Sequence, residues 1–163
     1  MMNGLPLAAL PDADGVAQCL AATLRREVTA RVVKPADARL VMTGHYVNGM
    51  KTLIAGCFGD RSLVAYAGAA FSLVPADAAE ESLAEAQLDE VLVENFAEIL
   101  NICSRLFEGG TGQRVTLSRI EEPGSPPSAV SQAMLKNPVK RLDLEVDIAG
   151  YGKGRLALAL QPA

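Results

Sequence analysis

The chain has no tryptophan, one histidine and 4% aromatic residues, although 50% of it is hydrophobic. Its core must therefore be built from Ala, Val, Leu and Ile, side chains that suit close packing of helices on a sheet. The single histidine, His45, restricts nucleophilic and metal chemistry. A Ser–His–Asp or Cys–His nucleophile has to use it, yet it lies in an alternating strand pattern with nothing local to orient it. A zinc site has to combine Cys19, Cys57 and Cys103 with His45, and no CxxC or comparable ligand spacing supports one. The three cysteines sit in apolar contexts and read as small buried hydrophobes. The longest uncharged run, Ser62 to Ala76, is about 15 residues, short of the roughly 20 that a membrane span requires. The N-terminus lacks the charged, then apolar, then small-residue pattern of an export signal, so a cytoplasmic protein is expected.

At 163 residues the chain is read as one domain, 1–163, with a poorly patterned segment over 1–11. Charge is distributed unevenly. Residues 59–108 carry 2 Lys/Arg against 10 Asp/Glu, whereas residues 1–58 carry 6 against 4 and residues 109–163 carry 7 against 5. The acidic middle argues against nucleic acid as a partner, since that needs clustered cations on one face. It favours a partner that presents Lys or Arg.

Along the chain, Asp12 or Asp14 can cap a helix running to about Glu27. Val28 to Val33 reads as a strand stopped by Pro35. Arg39 to Val47 and Lys51 to Phe58 read as two more, with Asn48-Gly49 predicting a two-residue hairpin turn. Asp60 can cap a helix over about 61–74, ended by Pro75. This segment is apolar nearly all round, with Gly68 and Ala69 permitting close approach of another element. Asp77 to Ala86 is an acidic short helix or turn, and Glu108-Gly109-Gly110 ends the long helix that follows. Gln113 to Ile120 reads as a strand and Glu121 to Ser128 as a loop with prolines. Residues 129–136 suggest a short helix. Val139 to Ile148 and Gly154 to Gln161 suggest two strands joined by a tight turn. Hairpins and two long helices between strand sets predict an α+β fold: a mostly antiparallel sheet of about six strands in two three-strand sets, with two long helices packed on one face. The sets echo one another loosely, as strand, Pro-containing loop and hairpin.

The long helix, 87–107, is the most informative segment. Leu88, Val91, Leu92, Phe96, Ile99, Ile102, Cys103 and Leu106 recur at three- and four-residue intervals and define its core face. Glu94, Glu98, Asn101 and Arg105 fall within an arc of about 60° on the opposite side, taking about 100° per residue. Glu98 and Asn101, at i and i+3, are surface neighbours. A carboxylate beside an amide on a rigid helix can anchor a cation and orient a water. The plainer reading of the same four residues is the solvated face of an amphipathic helix.

This order of elements, with Glu98-Ile-Leu-Asn101 on the long helix, resembles the CheC/CheX/FliY family of chemotaxis phosphatases, closest to a CheX-like single domain, from about residue 12 to 161. The family pattern is Asp or Ser, three residues, Glu, two residues, Asn, then a proline some two dozen residues on. Glu98 and Asn101 match it, Glu94 occupies the Asp/Ser place, and Pro123 or Pro126 stands near the expected proline. Arg105 stands where CheX-like sequences usually have Gly, and one such motif is present where CheC-type members often carry two. The resemblance implies a catalytic pair, Glu98 and Asn101, that hydrolyses the aspartyl phosphate of a CheY-type receiver domain. Asn101 would align the water and Glu98 hold the receiver's lysine, with Glu94 and Arg105 at the partner-binding rim. It implies no cofactor in this chain, Mg2+ carried by the receiver, and a homodimer through a sheet edge. The alternative is a non-catalytic receiver- or partner-binding module that keeps the fold without phosphatase activity.

Overall fold

The computed structural model describes residues 8–109 and 112–161. Asp12 accepts from the Gly15 amide and caps α1 (Ala13–Leu24), which stops where Arg25 turns left-handed. Strands β1 (Val28–Val32), β2 (Leu40–Val47) and β3 (Leu53–Asp60) follow. Asp60 then caps α2 (Arg61–Phe71) by accepting from the Leu63 amide. Helices α3 (Ala76–Ala84) and α4 (Glu90–Ile102) complete the helical layer, and α4 runs on as a 3-10 turn, Cys103–Phe107. Strand β4 (Thr116–Glu121), helix α5 (Ala129–Lys136) and the hairpin β5 (Lys140–Ile148) and β6 (Gly152–Leu160) end the fold.

The six strands form one sheet in the order β1-β5-β6-β3-β2-β4, with every pairing antiparallel. This is the expected α+β architecture, and the two three-strand sets interleave in it. Hairpin β2–β3 takes β4 from the second set, hairpin β5–β6 takes β1 from the first, and β3 pairs with β6 at the centre. Each set therefore lends its lone strand to the other set's hairpin, which makes a single core.

Alternation along the strands separates the two faces of the sheet. Leu156, Leu158 and Leu160 of β6, with Tyr46 of β2, join the main core under α1, α2 and α4. Ala157 and Ala159 of β6 and Phe58 of β3 point the other way and pack on Met134 of α5. The small helix thus covers part of the second face, while α2 and α4, with α1 beside them, share the first. Between them, α2 and α4 approach backbone to backbone. A Cβ on Gly68 would lie 2.4 Å from the Leu92 carbonyl oxygen, so only glycine permits this contact. Asn95 of α4 seals it by donating to the Gly68 carbonyl at 2.8 Å and to Ser72 Oγ at 2.7 Å.

Several local expectations are corrected. Asn48-Gly49 is not a two-residue turn. The connection runs from Asn48 to Thr52, with the Asn48 side chain accepting from the amides of Met50 and Thr52 at 3.0 Å each. The positive φ falls on Lys51. Helix α2 ends at Phe71, three residues before the expected stop, with Leu73 in the left-handed conformation. The long helix begins at Glu90 rather than 87. Asp89 caps it, and the Asp89 amide itself donates to Ser82 Oγ at 2.7 Å. On its expected core face Val91 is 50% exposed, and Leu88, Ile102 and Leu106 are half-buried; Val93 and Leu100 are buried instead. The reason is α2: because Gly68 draws α4 in at Leu92, the buried arc is centred on Leu92, Phe96, Ile99 and Leu100. Within the Gly109–Gly112 stretch, residues 110 and 111 lie outside the described residues.

Candidate functional site

The exposed side of α4 is held from below at three levels. Leu92 lies on α2, the Phe96 ring lies against Gly59 of β3, and Leu100 meets Gly44 of β2. Ile99 is 1% exposed and Leu100 fully buried, so the backbone carrying residues 98 and 101 has little freedom to roll. On the other side Glu94, Glu98 and Asn101 are all exposed, with Glu98 and Asn101 one turn apart near the helix C-terminus. Among the described residues none of these three side chains has a hydrogen bond or ion pair, so their bonding capacity is open to a partner.

Arg105 is exposed too, beyond the α-helical part of the stripe. It lies in the 3-10 turn, which advances about 120° per residue instead of about 100°. Its charge draws the pKa of the Cys19 thiol of α1 down, against a larger upward push from Cys103 and burial. Arg105 thus follows Asn101 in the 3-10 turn rather than in the α-helix itself.

The two candidate prolines fall on opposite sides of the loop. Pro123 lines a groove of about 460 Å³ together with Leu88, Glu90, Val93 and Glu122, alongside the first turns of α4. Pro126 lines a separate groove of about 340 Å³ with Thr43 and Glu121. Pro123 is the proline beside the helix.

The three cysteines, 38 or more residues apart in sequence, converge beneath the end of α4. Contact with Cys103, then burial, pushes the Cys19 thiol up. The Cys103 thiol, drawn down by Cys19, is raised on balance by Cys57 and by burial. Such thiols stay protonated and act as small apolar fillers. His45 lies elsewhere: it points to the opposite face of the sheet from Gly44 and Tyr46.

There sequence reasoning missed a constellation. His45 Nε2 is 2.7 Å from Ser131 Oγ, Ser131 Oγ donates to Glu121 Oε1 at 2.8 Å, and Ser128 donates its backbone amide to the same oxygen at 3.1 Å. An ionised Glu121 only accepts, so Ser131 gives it its proton and His45 Nε2–H donates to Ser131. Glu121 Oε2 is 3.7 Å from the same ring nitrogen. Burial holds the His45 pKa below its ordinary value against the attraction of Glu121. For Glu121 burial acts upward, but the bonds from Ser128 and Ser131 outweigh it and the pKa is lowered. A Ser–His–acid device needs the acid on the other ring nitrogen and a serine open to substrate. Here both partners crowd Nε2, Ser131 is 0% exposed and His45 5%, so the cluster ties α5 to strands β2 and β4 of the sheet. No local signal betrays it, since Ser131 is 86 residues from His45.

Among the described residues no group of three or more His, Cys, Asp or Glu side chains is arranged to hold a metal, and no helix is long and apolar enough to cross a membrane.

No protein-family model matches the chain, and no curated protein matches it in sequence. Solved structures match it in shape. A FliM–SpeE complex from Helicobacter pylori matches with TM-score 0.57 and 9% identity, over 91% of this chain and 81% of that one. The CheX–CheY–BeF3–Mg complex from Borrelia burgdorferi matches with TM-score 0.53 and 8% identity, over 91% and 94%. Thermotoga maritima FliY matches with TM-score 0.50 and 18% identity, over 91% and 83%.

Proposed function

From the fold shared with CheX and FliY, we propose that this chain docks on a phosphorylated receiver domain of CheY type and hydrolyses its aspartyl phosphate. In this reading Asn101 orients the attacking water and Glu98 anchors the receiver's lysine. Glu94 extends the same acidic stripe, Arg105 flanks it from the 3-10 turn, and Mg2+ is carried by the receiver. One observation carries the reading: Glu98 and Asn101 stand exposed and unpaired, one turn apart, on a helix fixed from beneath. Phosphoryl transfer asks little covalent chemistry of the protein, so an amide and a carboxylate held in place can supply most of the acceleration by positioning. The acidic stretch 59–108 favours a partner that presents lysine.

A second reading has its own support. The same fold occurs in FliM in complexes with SpeE and with FliG, so it also serves as a binding module. Arg105 in the family's glycine place favours binding without turnover. In either reading a homodimer through an edge strand, β1 or β4, is compatible with the sheet.

The test is to incubate the chain with a phosphorylated receiver and follow phosphate loss against the receiver's own decay. Acceleration that disappears in Asn101→Ala, with receiver affinity kept, supports hydrolysis. A receiver that binds but decays no faster supports the module. A full receiver set in which none binds overturns both.

A further inference from the structure

Asn101 is the penultimate residue of α4, at the point where α-helical bonding gives way to the 3-10 turn. Carbonyls at such a junction lose their i+4 donors, and the last turn of a helix frays unless something outside it supplies a replacement. Here the replacement comes from the sheet. Tyr46 of β2, with no exposed surface, donates its hydroxyl to the Leu100 carbonyl at 2.7 Å, one residue before Asn101. Its ring also lies 4.9 Å from that of Phe107, tilted by 44°, at the far end of the 3-10 turn. Gly44, two residues earlier on the same face, leaves the space the hydroxyl needs. A Cβ there would come within 3.3 Å of the Tyr46 oxygen and 3.1 Å of Leu117. One side chain therefore holds the backbone carbonyl just before Asn101 and packs on the Phe107 ring beyond it, from a strand that takes no part in the exposed stripe.

We infer that Tyr46 is a positioning residue for Asn101: its hydroxyl on Leu100 and its ring on Phe107 set where the Asn101 amide stands when a phosphoryl group is presented to it. This rests on the phosphatase reading above. A buried tyrosine needs a partner in any fold, so stability alone has to be separated from positioning. The molecule contains the control. Tyr151 is half-buried and donates its hydroxyl to the Val74 carbonyl, also at 2.7 Å, past the end of α2, where it packs in the cluster around Leu92 near the start of α4. Both tyrosines tie a backbone carbonyl; only Tyr46 does so next to Asn101.

The experiment compares Tyr46→Phe and Tyr151→Phe in the full chain. With saturating phosphorylated receiver, Tyr46→Phe is expected to lower turnover about tenfold or more, because small displacements of a positioning group are amplified in rate. Its affinity for the receiver should stay at the wild-type value, and Tyr151→Phe should keep both. Equal losses in the two variants, or a loss of affinity alone in Tyr46→Phe, overturn the inference. Phe107→Leu, which keeps the hydrogen bond and removes the ring contact, decides the matter if Tyr46→Phe does not fold: lowered turnover with retained affinity supports the inference, unchanged turnover overturns it. A readout independent of activity is the NMR order of the Asn101 side-chain amide. If the wild type accelerates no receiver, the phosphatase reading falls by itself. The positioning claim is then judged by whether Asn101 order drops in Tyr46→Phe and not in Tyr151→Phe; unchanged order overturns it.

Discussion

Two polar constellations lie on opposite sides of the same sheet, and their appearances mislead in opposite directions. Ser131, His45 and Glu121 have the residue types of a hydrolase, but Ser131 and His45 are buried and the three turn their hydrogen bonds on one another, with Glu121 half-buried. Glu98 and Asn101 look like ordinary surface residues, yet they stand exposed on a braced helix with no partner among the described residues. Chemistry on a substrate needs groups that are accessible and still have bonds to make. Ser131 bonds both His45 and Glu121 Oε1, while Glu121 Oε2 is buried without a hydrogen bond; such a buried network is structure, because breaking it leaves further unpaired groups out of water.

The largest expected effect falls on the exposed pair. Asn101→Ala should reduce acceleration of receiver dephosphorylation to the background decay, a loss of about a hundredfold or more. Its unfolding free energy should move by no more than about 0.5 kcal/mol, as at other exposed positions. Phosphate release and urea denaturation on the same preparation check this. A destabilised Asn101→Ala would place the residue with the structural network.

Ser131→Ala should do the reverse. It removes the hydroxyl that both His45 and Glu121 use and should destabilise the fold by about 1–3 kcal/mol, the usual result of stranding buried polar groups. Turnover per folded molecule should be unchanged. A Ser131→Ala protein that is stable but inactive would invert the comparison.

Glu98→Ala is expected to weaken receiver binding by about tenfold, near the upper part of what one partly exposed charge contact contributes. The effect should shrink as ionic strength rises. Titration calorimetry at low and high salt reads it. Salt-independent loss would mean that Glu98 contributes shape rather than charge.

The smallest effect is a pH dependence that belongs to the buried cluster. Burial holds the His45 pKa below its ordinary 6.5, so the folded state favours the neutral ring. Stability should therefore be complete above that value and decline as pH falls below it toward the folded pKa. Glu121, whose folded pKa is lowered, contributes above the ordinary carboxylate range, and its share is lost only in more acid solution. Urea midpoints at pH 7.5 and 5.5 should drift down in the wild type and drift less in His45→Gln. An equal drift in both would assign it to other groups.

Particular residues mark how far the sequence was legible. Asp12, one of the two expected caps, and Asp60 cap their helices, and Gly68 marks the close approach of α2 to its neighbour. These are local signals: a carboxylate facing free amides, or a missing side chain, acts within a few residues. The Glu98/Asn101 stripe was legible for the same reason, since a helix fixes which residues share a face. Val91 was misread because the centre of the buried arc depends on which element α4 meets, and that is set by Gly68 and Leu92. Asn48-Gly49 was misread because the Asn48 side chain accepts from amides further along and widens the turn.

The sequence by itself determined the elements, the antiparallel α+β class and the polar face of α4, because periodicity, capping and turn chemistry are short-range. Tertiary structure decided which strand joins which hairpin, that Ser131 and Glu121 come to rest on His45, that Pro123 rather than Pro126 lies beside α4, and that Tyr46 reaches Leu100. These partners lie far apart in sequence, Ser131 86 residues from His45 and Ile148 further still from its β1 partner Val28, and they meet only through strand pairing and helix docking. No residue type or spacing encodes such a meeting, because the free energy that selects it belongs to the whole core.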